Sequence, residues 1–150
     1  GVAGHPYRLV GKDEPGPFGL LRLAREVDAA TAACLLVRRA AFEAVGGFDA
    51  EHLAVAFNDV DLCLKLRGRG GKIVWTPFAE LLHRESVSRG VEDSPEKQAR
   101  FEREVRVMLD RWGERLTADP YWSPNLDLEG DQGALAWPPR VWRPWSDAPD

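Results

Sequence analysis

The stretch "NDVDLCLKLRGRGGKIVWTP", Asn58 to Pro77, decides the fold. Asn58 or Asp59 is suited to cap a helix whose apolar positions Val60, Cys63, Leu64 and Leu66 fall on neighbouring turns. Lys65, Arg67 and Arg69 crowd its far end, where cations suit the negative pole of the helix dipole, and Gly70-Gly71 supply the stop. The following "KIVWT" is β-prone and is closed by Pro77. Asp59 and Asp61, separated by one residue, raise three options: a metal clamp, an acid/base group, or a helix cap. Residues two apart on a helix point roughly 200° away from each other, so the pair cannot grip one ion while both are helical. A capping Asp59 presents its carboxylate out of the helix start, and Asp61 then lies in the first turn beside the dipole's positive pole.

Working outward, the upstream run "TAACLLVRR" from Thr31 lacks helical spacing and predicts a buried strand ending at Arg38-Arg39. Next, "RAAFEAVGGFD" predicts a short helix stopped by Gly46-Gly47, with Phe48 returning to the core. Downstream, a short apolar run, "AELLH", ends at His83. The order strand, helix, helix, strand is that of an α/β domain. The clearest helix spans 94–113: Ser94 is a natural N-cap, Pro95 fits the first turn and Gly113 the stop. Its apolar face is Phe101, Val105, Met108, Leu109 and Trp112. Residues 1–116 are therefore expected to form one domain, led by an irregular Gly- and Pro-rich loop over 1–17, with 117–150 an extended Trp/Pro-rich tail. So long an irregular opening suggests the back part of a longer polypeptide.

With 44% hydrophobic and 29% charged residues among 150, the chain is of the globular class. A net charge of -4 and no concentrated run of Lys and Arg argue against nucleic acid as a partner. No apolar stretch approaches the roughly 20 residues of a membrane span. Cys34 and Cys63 have no CxxC spacing and are expected as buried thiols, in keeping with a reducing, cytoplasmic setting.

Taken in order, "GGFD", "NDVDLCLKLRGRGGKIVWTP" and "LLHRESVSRG" resemble the C-terminal half of family 2 glycosyltransferases, inverting enzymes of the GT-A fold. The likeness is close over roughly residues 31–90. The continuation "EDSPEKQARFEREVRVMLDRWG" and "DPYWSPNL" looks like bacterial members that build O-antigen or other surface polysaccharide.

The resemblance implies that Asp59 is the general base, taking the proton of an acceptor hydroxyl as it attacks the anomeric carbon of a nucleotide-diphosphate sugar. Asp61 would be structural or would orient the acceptor, and Asn58, Gly47 and Asp49 would shape the acceptor side. His83 would meet the metal or the diphosphate, and Arg84, Ser86, Ser88 and Arg89 would form a loop over the donor phosphates. Asn58 stands where the family usually has Glu, and Lys65 where it commonly has Arg. The implied partners are a nucleotide-sugar donor (hexosyl or rhamnosyl), a glycan or lipid-linked acceptor, and a nucleotide-binding half of about a hundred residues upstream. That half would hold most of the divalent metal, Mn²⁺ or Mg²⁺, through its DxD. The implied location is cytoplasmic, free or peripheral at the inner face of the membrane. Two other readings stand beside this one: a non-catalytic glycan- or protein-binding module using the Trp-rich tail, and a structural metal site built from His83 and the Asp pair.

Overall fold

The computed structural model describes residues 2–7, 10–82, 94–128 and 134–141. In chain order its elements are β1 (Arg25–Val27), α1 (Arg39–Ala44), α2 (Asn58–Gly68), β2 (Ile73–Trp75) and α3 (Pro95–Trp112), with 3-10 turns at Pro17–Arg22, Ala32–Cys34 and Gly113–Leu116. The mixture of helices with a small sheet fits an α/β class, although the first strand is Arg25–Val27 and not the predicted run from Thr31.

Helix α2 is central because it is buried on both sides. Leu64 packs with Val2, Leu53 and Met108, and Leu62, Cys63 and Leu66 pack with Ile73. Leu62 and Cys63 are fully buried. Each fully buried leucine contributes roughly 1.5–3 kcal/mol by leaving water, so α2 is held from two directions at once. The helix starts differently from the capping expectation: Phe57, in the left-handed conformation at φ 62°, turns the chain into it without a side-chain cap. Its stop is the expected one, with the amides of Gly70 and Gly71 donating to the carbonyls of Arg67 and Leu66.

Strands β1 and β2 pair antiparallel, Arg25 opposite Trp75 and Val27 opposite Ile73. A two-stranded sheet is marginal alone, and here Val27 and Ile73 anchor it on the α2 cluster. The predicted strand from Thr31 is corrected. Ala32–Cys34 form a 3-10 turn, tied by Thr31 Oγ1 accepting from the Ala33 amide, and the backbone is extended only after it. Leu35 and Val37 pack on the α2 cluster while Leu36, between them, is 99% exposed. This alternation is that of a strand, but no neighbour among the described residues forms a ladder with it.

Further corrections follow from long-range packing. Cys63 is buried as expected, whereas Cys34 is exposed on its turn, and both thiols are free. Phe48 is exposed and meets only the edge of Phe42, with ring centroids 5.5 Å apart. On α3, Ser94 caps as expected, accepting from the Lys97 amide. Of its predicted face, Met108 is buried but Phe101 and Leu109 are exposed, and the buried charge is Glu104. The described part of the tail is not simply extended: it folds back through a bridge between Leu126 and Leu135.

The Gly46-Gly47 turn ends α1 with both residues at positive φ. A Cβ on Gly47 would come within 2.7 Å of the Phe42 ring. Gly47→Ala is expected to cost about 1–3 kcal/mol, read as a lower urea midpoint, whereas Gly68→Ala, which meets open space inside α2, should not destabilise.

Candidate functional site

The two carboxylates of the opening motif part company in the structure. Asp59, half-buried at the mouth of α2, accepts from the Val60 amide at 2.9 Å through Oδ1 and from the Ala32 amide at 3.0 Å through Oδ2. The Ala32 contact draws the turn at 32–34 onto the start of the helix.

Asp61, two residues on, has no solvent exposure at all. Arg111 Nη1 donates to its Oδ1 at 2.8 Å and the Trp112 indole donates to the same oxygen at 3.0 Å. Lys65, one turn later on α2, pairs with Oδ2 at 3.0 Å. Burial works to raise the pKa of Asp61, but Arg111, Lys65 and Trp112 outweigh it and hold the carboxyl below its ordinary value. The same cations reach the Gly-Gly-Phe-Asp turn: Lys65 Nζ donates to the Gly47 carbonyl at 2.7 Å, and Arg111 Nη2 to Asp49 at 2.7 Å. Arg111 and then the His52 amide hold the Asp49 carboxyl far below the carboxylate range. Gly47, Asp49 and Asp61 are thus brought together as one locked unit behind the mouth of the helix, where Asn58 and Asp59 sit.

A second buried carboxylate shapes the approach to that mouth. Glu104 of α3 accepts from the amides of Val55 (3.1 Å) and Ala56 (2.8 Å), just before α2. On the other side, Asp28 after β1 pairs with both Arg67 and Arg115. Sequence reasoning missed Arg111 and Glu104, and read Trp112 only as part of the apolar face of α3, because their partners lie about fifty positions away. A charged residue interrupting an apolar stripe was the signal available.

His83, Arg84, Ser86, Ser88 and Arg89 lie outside the described residues. Among the described residues no three His, Cys, Asp or Glu side chains converge as a metal site. The donor set of Asp59 and Asp61 does not fit a divalent ion: one carboxylate is engaged by amides, and the other is sealed beneath two cations and an indole. No helix among the described residues is long and apolar enough to cross a membrane.

Removing the fully buried Asp61 would leave Arg111 and Lys65 without their shared counter-charge. Asp61→Ala is expected to cost about 3 kcal/mol in chemical denaturation. The folded pKa values of Asp49 and Asp61 lie below their unfolded values near 3.9. Their contribution is therefore complete above about pH 4 and is lost as pH falls through the folded values. A stability profile should show this acid limb, and Asp61→Asn should flatten it.

Comparison with known proteins gives partial relatives. Over 138 residues, 92% of this chain and 15% of the other protein, the chain is 51% identical to an uncharacterized protein, y4gI, of Sinorhizobium fredii. It is 38% identical over 130 residues to the O-antigen biosynthesis protein RfbC of Myxococcus xanthus, covering 85% of this chain and 10% of that protein. It is also 38% identical over 87 residues to the N-acetylglucosaminyl-diphospho-decaprenol L-rhamnosyltransferase of Mycobacterium tuberculosis, covering 58% of this chain and 28% of that enzyme. No model of a known protein family matches the chain. No solved structure matches it. The chain therefore spans between about a tenth and somewhat more than a quarter of the length of these relatives.

Proposed function

We propose that the chain is the acceptor-side part of an inverting glycosyltransferase of the family 2, GT-A kind, with Asp59 as its general base. The relatives' names support a glycosyltransferase-like reaction in polysaccharide synthesis. The observation that carries the reading is the division of labour between the two aspartates. Asp61 is committed to structure, whereas Asp59 stands partly open at the helix mouth, its carboxylate oriented by two backbone amides. A carboxylate oxygen has lone pairs beyond those two contacts, so an acceptor hydroxyl can donate to it.

In the proposed reaction the acceptor O–H gives its proton to Asp59 as its oxygen bonds to the anomeric carbon. The bond from that carbon to the nucleoside diphosphate breaks with its electron pair leaving on the phosphate, and attack opposite the leaving group inverts the centre. The sugar donor, together with a divalent metal and the proposed contacts of His83, Arg84, Ser86, Ser88 and Arg89, belongs to the part of the site that the described residues do not form. We assign donor binding to an upstream nucleotide-binding half of a longer polypeptide. The unpaired extended segment with Leu36 outermost supports this, as do Phe18 (99% exposed) and Phe78 (84% exposed), apolar groups of the kind that a neighbouring layer covers.

The test is sugar transfer from labelled nucleotide-sugars by the longer polypeptide. Asp59→Asn should lower turnover by about 10²–10⁴-fold while the circular dichroism spectrum and melting temperature stay unchanged; undiminished turnover refutes the base assignment. The 150-residue chain alone is expected to transfer no sugar.

A further inference from the structure

The described tail returns to the body of the molecule and lines, with β1, residues 2–6 and the face of α2, an open cleft of about 760 Å³. That size falls within the range of about 300–1,000 Å³ usual for small-ligand sites. We infer that this cavity binds a neutral saccharide, stacked on Trp137 and hydrogen-bonded to polar groups of the lining.

Three features lead there. The first is the aromatic wall. Trp137 lines the cavity yet is 94% exposed, so its indole face is open to a ligand. Trp122, also in the lining, is half-buried and fixed: its indole donates to the Asp127 carbonyl at 3.1 Å and its ring lies 6.1 Å from that of Tyr7. An indole offers a flat apolar face for the C–H side of a pyranose at little entropic cost.

The second is the polar part of the lining. Arg25, Asp119 and Thr117 also line the cavity, offering donors and acceptors of the sort a polyhydroxyl ligand needs. Arg25 is held with its guanidinium 5.5 Å from the centre of the Trp75 ring. Apolar side chains of α2, Val60 and Leu64, complete the lining.

The third is rigidity and charge. Arg140 staples the tail by donating to the carbonyls of Thr117 (2.8 Å), Leu126 (3.1 Å) and Ser123 (3.3 Å), so the wall is built before a ligand arrives. The same bonds occupy Arg140, and the lining carries the carboxylates of Asp28, Asp119 and Asp127 as well as Arg25. An anion such as a nucleoside diphosphate would meet no cationic excess, whereas an uncharged sugar meets both donors and acceptors. The site requires nothing of Asp59, so it stands whether or not the proposed transfer is correct.

The probes are chitotriose, cellotriose, maltotriose and methyl α-L-rhamnoside, titrated into the chain with tryptophan fluorescence and saturation-transfer NMR as readouts. At least one is expected to bind saturably in the millimolar range. Trp137→Ala should weaken that binding about tenfold and Trp137→Phe by no more than about threefold, with circular dichroism spectra unchanged because Trp137 is exposed. Asp59→Asn should bind as the unaltered chain does, which separates this site from the catalytic assignment. Absence of saturable binding for all four probes, or equal binding by Trp137→Ala, would overturn the inference.

Discussion

The structure depends on one buried charge. Asp61 is wholly removed from water, which costs an isolated carboxylate several kcal/mol, and close donors and counter-charges must offset that cost. Arg111 and Trp112 from α3 donate to its Oδ1, and Lys65 from α2 pairs with its Oδ2. Because Arg111 also holds Asp49 and Lys65 also holds the Gly47 carbonyl, the single carboxylate fixes three pieces of chain to one another: α2, the end of α3, and the turn after α1. Apolar packing alone would leave their register looser, since hydrophobic contact has no direction.

That constraint explains how neighbouring aspartates have unlike environments. A helix places residues two apart on different sides. One side of α2 at its first turn faces α3 and the other faces the loop at 28–34. Asp61 becomes part of the frame, and Asp59 becomes a partly open carboxylate mounted on it. Glu104 adds to this from α3 by holding the Val55 and Ala56 amides, so the segment entering α2 is set by a side chain rather than by local turn chemistry. A catalytic or binding group is most precise when its supporting contacts lie on rigid elements, and here they come from two helices.

The apolar surface tells a complementary story. Two buried clusters flank α2, while Phe18, Leu36, Phe78 and Trp137 remain open. Their surroundings differ. Leu36 sits on extended backbone that has no ladder partner among the described residues. Trp137 lines a cleft that also carries the polar side chains of Arg25, Thr117 and Asp119.

The sequence by itself determined α1, α2, β2 and α3 closely, because their signals are local: Ser94 before Pro95, Gly46-Gly47 and Gly70-Gly71 after apolar runs, a β-branched pair before Trp75. It also determined that Asp59 and Asp61 could not share an ion while both were helical, since that is a property of the helix itself. Only the tertiary structure decided the rest. Arg25–Val27 carries no pattern of its own and is a strand because Ile73–Trp75 pairs with it. The run from Thr31 has a strand's composition but lacks a partner among the described residues, and a strand is defined by its partner. Burial of Asp61 and Glu104 was illegible for the same reason: a charge can be buried only where distant donors converge, and their convergence is a fact of the folded chain alone.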